Sequence, residues 1–198
     1  VFAVQGAPPE DRGGTEATTL SLATAMGRAG HRVTIVAGSD AAGAVPMLEL
    51  EDGVRLIRVH RLDLHYEHWH KCLDEAAGRE FERLLEEERP DVVHVHHWIR
   101  LSRDLVARAA GLGIPSILTL HDYTASCLVH HRVQPEDGTF CGLPPNPDEC
   151  IPCAARAHVR TPWVDRAAEV SHFQQVLDAT RAEICLLYTS PSPTRQKP

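Results

Sequence analysis

The sequence predicts an α/β protein built on a Rossmann-like parallel sheet with helices on both faces. Short apolar runs rich in β-branched residues alternate along the chain with longer stretches in which apolar residues recur at helical spacing. Glycine or proline separates most of these stretches, as expected where a chain turns between elements. Strands that alternate with helices are typical of parallel sheets, because parallel neighbours need a long crossover connection that a helix supplies.

The first sixty residues are predicted to contain three strands and one helix. A strand over 1–5 is followed by a loop over 6–14 that contains glycine and proline. The helix is predicted to end at Gly30 and to bury apolar residues at positions i, i+3, i+4 and i+7, namely Leu22, Ala25, Met26 and Ala29. Residues 33–37 form a short β-branched run. Residues 54–60 alternate apolar and polar side chains, which predicts a strand nearer the sheet edge.

The remainder of the chain continues the alternation of helices and strands. Strands are predicted over 91–96 and 114–120. Three helices are predicted from apolar stripes, which are Leu73, Ala76, Ala77, Phe81, Leu84 and Leu85, then Leu101, Leu105, Ala109 and Leu112, and finally Val170, Phe173, Leu177, Thr180 and Ile184. Between the last strand and the last helix lies a Cys- and Pro-rich loop insertion over 127–153.

Length and charge limit the function classes. The chain has 198 residues, which suits one domain, and its 20 Lys and Arg against 27 Asp and Glu give a net charge of −7. This acidic balance argues against a nucleic-acid partner, since phosphate binding needs clustered basic residues. No apolar run reaches the roughly 18–20 residues of a transmembrane segment, and no signal peptide is visible. We therefore expect a cytoplasmic protein, with peripheral contact at the cytoplasmic membrane face left open.

Both ends of the sequence are unusual. The chain opens at Val1, already inside an apolar run, so we expect the first strand to be clipped. Residues 185–198 are rich in proline and small polar residues and resemble translated sequencing adapter. The domain is therefore expected to span 1–184, followed by a non-native or disordered tail over 185–198. A natural flexible linker is the alternative.

Four cysteines fall within the insertion. Their order is Cys127-x13-Cys141-x8-Cys150-x2-Cys153, and the closing Cys-x-x-Cys has the spacing of a zinc knuckle. A structural zinc ion is the first hypothesis, and disulfides, an iron–sulfur cluster and free thiols remain open. Cys72 is interpreted as a packed thiol. The histidine-rich segment 65–70 is interpreted as an exposed loop, with metal binding as the alternative.

Polar residues follow three of the predicted strands where ligands bind to open parallel sheets. Gly13 and Gly14 precede the first helix, where backbone N–H groups can approach an anion. His97 ends the strand over 91–96, whereas His94 and His96 share one sheet face and are interpreted as core histidines. His121 and Asp122 follow the strand over 114–120, and such a pair can hold an imidazole in one tautomer. These residues predict one crevice.

In this order and spacing, four segments resemble the N-terminal domain of family 4 glycosyltransferases of GT-B fold. The segments are Gly13-Gly14-Thr15-Glu16, 30–36, 89–96 and 119–122. The resemblance covers residues 1–184, and a subset of the family carries a similar cysteine-bearing insertion. It implies that a sugar is transferred, with retention, from a nucleotide-sugar donor to a glycan, lipid or small-molecule acceptor.

The resemblance also implies roles for individual residues. Gly13 and Gly14 would face the donor phosphates and the reacting sugar, His121 would bond the transferred sugar, Asp122 would orient that loop, and His97 would line the acceptor pocket. Glu16 is interpreted as a helix-start residue. No metal is implied for catalysis, in agreement with the absence of an Asp-x-Asp pair.

The family's second Rossmann-like domain, which binds the nucleotide, has no counterpart in this sequence, so we expect the chain alone to be inactive. Two alternatives remain. One is a non-catalytic, zinc-stapled Rossmann-like module that binds a ligand or partner. The other is a nucleotide-dependent oxidoreductase, which the absence of a Gly-x-Gly-x-x-Gly fingerprint disfavours.

Overall fold

The protein is described by a computed structural model that covers residues 1–39, 46–60, 73–157 and 163–189. The predictions for segment 65–70 and for Cys72 lie outside the described residues. The strands are β1 (Phe2–Val4), β2 (Val33–Ser39), β3 (Met47–Glu49), β4 (Val54–His60), β5 (Val93–Val95) and β6 (Ser116–Leu118). The helices are α1 (Gly14–Arg28), α2 (Glu75–Glu88), α3 (Leu105–Gly111), α4 (Pro147–Arg156) and α5 (Arg166–Thr189).

The described strands form one mixed sheet in the order β3-β4-β2-β1-β5-β6. All neighbouring pairs are parallel except β3 with β4, which is antiparallel. The predicted fold class, a Rossmann-like half of a GT-B fold, is confirmed. β4 lies nearer the sheet edge, as predicted, and the short strand β3 pairs outside it. Three residues carry too little periodic signal for β3 to be predicted.

Alternation along β1 divides the core between two faces of the sheet. Phe2 and Val4 pack with Ile35 and with Ala23 of α1. Ala3, between them, belongs to a second cluster that includes Phe81 of α2 together with residues of α3. Helices therefore cover both faces, as predicted, and the side chains that follow β1, β5 and β6 emerge at one end of a buried sheet.

Helix α1 turns a different face to the sheet from the one predicted. Its buried residues are Glu16, Thr19 and Ala23, while Leu22 is exposed. The apolar stripe through Leu22 was misleading because the backbone of α1 lies close to its neighbours. A Cβ on Gly27 would lie 2.3 Å from the carbonyl oxygen of Asp52. The fully buried side chains of this face are small or polar, while Leu20 and Met26 are partly buried against the same cluster.

We expect Gly27→Ala to lower the free energy of unfolding by about 1–3 kcal/mol, because the added methyl meets backbone that must shift. Gly111→Ala is the matched control, since Gly111 also lies in a helix and has nothing within 4 Å of its Cβ position. The control should be neutral or stabilising by less than about 1 kcal/mol, through helix propensity. Urea unfolding of both variants measures this, and equal effects would contradict the close approach.

The insertion packs on the last helix. Residues 147–156 form α4, which was predicted as loop, and Asn146 caps it by accepting a hydrogen bond from the amide of Glu149. Ile151 of α4 packs against Phe173 and Val176 of α5. The insertion thus shares a core with α5, and tertiary packing stabilises a helix that spans only ten residues.

Helix α5 runs five residues past the predicted domain boundary at 184 and ends at Thr189. Leu186 and Leu187 pack against the main hydrophobic cluster of the sheet. The contacts of these partly buried leucines favour continued helix over 185–189, and the domain boundary at 184 stays a prediction. The nature of residues 190–198 stays a prediction. No helix within the described residues is long and apolar enough to cross a membrane.

Candidate active site

The candidate site lies at the carboxyl ends of β1, β5 and β6, which are adjacent strands of the sheet. In register, Phe2 pairs with His94 and His94 pairs with Ile117. The residues that follow these strands therefore meet at one edge, as the sequence predicts. They include the Gly13-Gly14 turn, His97 and the His121-Asp122 pair.

His97 and Asp122 form a hydrogen-bonded pair beside Thr124. The Nδ1 of His97 accepts a hydrogen bond from the amide of Ile99 at 3.1 Å, so its proton lies on Nε2. That Nε2 is 3.3 Å from Oδ2 of Asp122 and 3.3 Å from the hydroxyl oxygen of Thr124. His97 is buried and both of its ring nitrogens contact polar neighbours, and its predicted place in the lining of an acceptor pocket stays a prediction.

Asp122 is ionised by its surroundings. Burial alone raises the pKa of Asp122, but hydrogen bonds from His97 and Thr124 lower it, and the net direction is well below the usual range. Its Oδ1 accepts the amide of Thr124 at 2.7 Å, which closes a tight turn. This turn fixes the segment that begins at His121.

Three histidines form a row across the sheet. His94 and His96 point to one face, as predicted, with ring centroids 4.2 Å apart, and His96 stacks on His121 at 5.0 Å. The Nε2 of His94 is 2.8 Å from the hydroxyl of Thr119, and the Nδ1 of His96 is 2.8 Å from the Nε2 of His121. The interpretation of His96 as a hydrogen-bonded core residue is only half right, because its buried Nε2 has no partner among the described residues.

Acid is expected to destabilise the fold through this row. Burial, aided by His94 and His121, lowers the pKa of His96 to about 4 from its ordinary 6.5. Burial likewise lowers the pKa values of His94 and His121. Between pH 6.5 and 4 the unfolded chain therefore binds more protons than the folded chain, so stability falls as pH drops.

Urea unfolding at pH 7.5, 6 and 5 tests this expectation. A His96→Asn variant should show a smaller loss of unfolding free energy over the same interval, because it lacks the group that titrates at the lowest pH. An identical pH dependence in the variant and the wild type would contradict the assignment.

Glu16 lies in the candidate site, although the sequence analysis interpreted it only as a helix-start residue. It lies in the first turn of α1 and is 4% exposed. Its Oε1 accepts a hydrogen bond from Gln5 at 2.8 Å, whereas its buried Oε2 has no partner within the described ranges. A Cβ on Gly13 would lie 2.3 Å from Oε2. The carboxylate thus lies beside the Gly-Gly turn.

No sequence signal alone would have shown that Glu16 is buried. Glutamate in the first helical turn is common at the surface, where it complements the helix dipole. The burial comes from the contact of α1 with the sheet, and its only local hint is the glycine three residues earlier, which leaves room for the carboxylate.

The loop between β1 and α1 is held by ion pairs with distant residues. Asp11 accepts a hydrogen bond from Arg100 at 2.7 Å, and Glu10 accepts one from the buried Arg58 at 2.7 Å. Arg58 also donates to the carbonyl oxygen of Pro8 at 3.1 Å. These contacts position Gly13 and Gly14, and the N-cap residue Gly13 provides no side chain to cover the first amides of α1.

The order of these features along the chain agrees with a known family. The family model described as "Glycosyl transferase 4-like domain" matches residues 13–142, which is more than half of the chain. The chain belongs to this family. No curated protein matches it. The match includes Gly13, Gly14, His97, His121 and Asp122.

The insertion of this glycosyl transferase 4-like domain brings its four cysteines around one cavity, lined also by Arg132 and Leu143. Cys150 and Cys153 lie one turn apart on α4, and burial raises the pKa of both thiols. All four are free thiols. Within the described residues, no three His, Cys, Asp or Glu side chains are arranged to hold a metal ion. The four predicted ligands thus line one cavity, but their sulfur atoms are not arranged to coordinate a metal ion.

Proposed function

We propose that the chain is the acceptor-side half of a retaining glycosyltransferase, which transfers a sugar from a nucleotide-sugar donor to an acceptor hydroxyl. The family match over residues 13–142 supports transfer of a glycosyl group. The observation that carries the assignment of the site is the buried, unpartnered Oε2 of Glu16 beside Gly13. A buried acceptor without a partner is costly, and such atoms are explained where a ligand completes the hydrogen bond.

Each site residue receives a role in this proposal. His121 donates a hydrogen bond to the transferred sugar, and Glu16 accepts one from a sugar hydroxyl. Gly13 and Gly14 allow the donor to approach the backbone at the start of α1, where the helix dipole favours the diphosphate. His97 and Asp122 hold the loop of His121. Catalysis here consists of positioning and of stabilising charge on the leaving group.

We also propose that a second Rossmann-like domain supplies the donor side. The 198-residue chain should then release no nucleoside diphosphate from UDP-, GDP-, ADP- or dTDP-hexoses above the buffer rate. The protein encoded by the complete gene should release it in the presence of an acceptor. The glycoside that forms should keep the anomeric configuration of the donor sugar. Transfer by the chain alone would refute the need for a second domain.

Assays of the complete protein distinguish a glycosyltransferase from a non-catalytic binding module. A folded complete protein that transfers no sugar with any donor of the panel, offered glycan and lipid acceptors, would favour the binding module. Inversion of the anomeric centre, read by NMR of the product, would reject retention while leaving transfer intact.

For the insertion we propose a structural zinc ion held by Cys127, Cys141, Cys150 and Cys153. The shared cavity and the four free thiols support it. Because the thiols do not form a ligand set as they stand, the proposal includes closure of the loop around the ion. Thiolates are the ligands that zinc prefers in four-coordinate structural sites.

Metal analysis of protein purified under reducing conditions tests the zinc site. We expect about one zinc per chain, lost in Cys150→Ser and retained in Cys185→Ser, whose cysteine is exposed on α5 and outside the cavity. A metal-free protein with two disulfides would reject zinc, as would zinc retained by the Cys150→Ser variant.

A further inference from the structure

The short contact between His96 and His121 restricts where their protons lie. The Nδ1 of His96 and the Nε2 of His121 are 2.8 Å apart. With both rings neutral, one of these nitrogens carries the hydrogen and the other accepts it. Lowered pKa values of both residues favour the neutral rings. Two arrangements therefore remain, and they differ in which nitrogen of His121 is protonated.

The buried environment of His96 selects between them. If His121 donates, the proton of His96 must lie on Nε2, which is buried and has no partner among the described residues. The surroundings of that ring include the aromatic ring of Phe2, with centroids 5.7 Å apart. A buried N–H without an acceptor is rarer in proteins than an acceptor without a donor. If His96 donates instead, its buried Nε2 carries no hydrogen and is an acceptor without a donor, which is the less costly of the two arrangements.

We propose that His96 is a positioning residue that fixes the tautomer of His121. His96 donates its Nδ1–H to Nε2 of His121, so that the proton of His121 lies on Nδ1. His121 then offers an N–H donor, not a bare nitrogen, to whatever oxygen lies in the crevice. The identity of the ligand rests on the proposed function: if that function holds, the oxygen belongs to a hydroxyl of the transferred sugar.

An N–H donor on His121 determines which ligand atoms can bind to this side chain. A hydroxyl oxygen can accept from the N–H of His121, and its own hydrogen remains available to a second acceptor. A fixed donor also removes the need to exchange tautomers when the ligand arrives, which favours preorganised binding.

The tautomer is measurable without any ligand or activity. In long-range 1H–15N spectra of the 15N-labelled 198-residue chain at pH 7.5, protonated and bare ring nitrogens have distinct shifts. The signals of His121 are assigned by their loss in His121→Gln. We expect Nδ1 of His121 to be protonated and Nε2 to be bare. A protonated Nε2 in the wild type would overturn the proposal.

Variants at His96 separate positioning from packing. His96→Phe removes the donor and should shift His121 toward the Nε2–H form. His96→Asn keeps an N–H donor near the position of Nδ1 and should retain the Nδ1–H form. His94→Phe, which alters the neighbouring ring but not this bond, is the control and should leave His121 unchanged.

An unchanged tautomer in a folded His96→Phe variant would reject the role. If that variant fails to fold, the comparison of wild type with His96→Asn still decides, because loss of the Nδ1–H form in a folded His96→Asn would contradict it. Sugar transfer is not measured here, so a failure of the proposed function leaves this result interpretable.

Discussion

Replacing Glu183 with alanine is expected to lower the free energy of unfolding by about 3–5 kcal/mol, because it removes the acceptor of a buried network. Glu183 is 1% exposed. Its carboxylate accepts hydrogen bonds from Trp98 Nε1 at 3.0 Å and from the amides of Val106 and Ala107 at 2.8 Å. Each donor left without a partner costs about 1–3 kcal/mol. The two amides belong to the first turn of α3, so this glutamate joins α5 to α3.

Chemical unfolding followed by circular dichroism measures the loss. Glu183→Gln keeps one carbonyl oxygen, and burial raises the pKa of Glu183, so the uncharged side chain should retain part of the stability. Its loss is expected at about 1–2 kcal/mol. Glu86→Ala, at an exposed position of α2, is the control and should change stability by less than about 0.5 kcal/mol. Equal losses in Glu183→Ala and Glu86→Ala would show that the network carries no stability.

If the proposed function holds, His121→Ala in the complete protein is expected to lower kcat/KM for sugar transfer by about a hundredfold. A loss of about a hundredfold is typical when one preorganised hydrogen-bond donor is removed from the reacting group. The loop itself should remain in place, because Asp122 keeps its hydrogen bonds to His97 and Thr124. A lower melting temperature is expected beside the loss of kcat/KM, because His121→Ala also removes the partner of the Nδ1 of His96.

His31→Ala provides the matched control, since His31 is an exposed histidine that follows α1. Steady-state rates of nucleoside diphosphate release and melting temperatures are compared for the wild type and the two variants. A His121→Ala enzyme that retains the rate of His31→Ala would remove His121 from the site, while leaving the family assignment untouched.

The strand and helix order was predictable because its signals are local. Apolar runs and helical spacing placed β1, β2, β4, β5 and β6 within a few residues of their observed bounds. The placement of His121 and Asp122 at a strand end followed from the same signals. Parallel topology then required these strand ends to meet at one edge.

Other features were not predictable because they depend on contacts between distant segments. Helix α4 forms where Phe173 of α5 is available as a packing partner. Helix α5 continues past residue 184, where Leu186 and Leu187 pack against the core of the sheet. The buried face of α1 is set by the approach of Gly27 to Asp52. Local periodicity contains no information about such partners.

By itself, the sequence determined the α/β class, the family and the set of strand ends that carry the site. It did so because periodicity and short motifs are properties of neighbouring residues. Only the tertiary structure decided that Glu16 is buried with an open oxygen, that His96 bonds His121 across 25 residues, and that Glu183 meets Trp98 across 85. These pairings exist because the fold removes their polar atoms from water, where each must find a partner within the protein or a ligand.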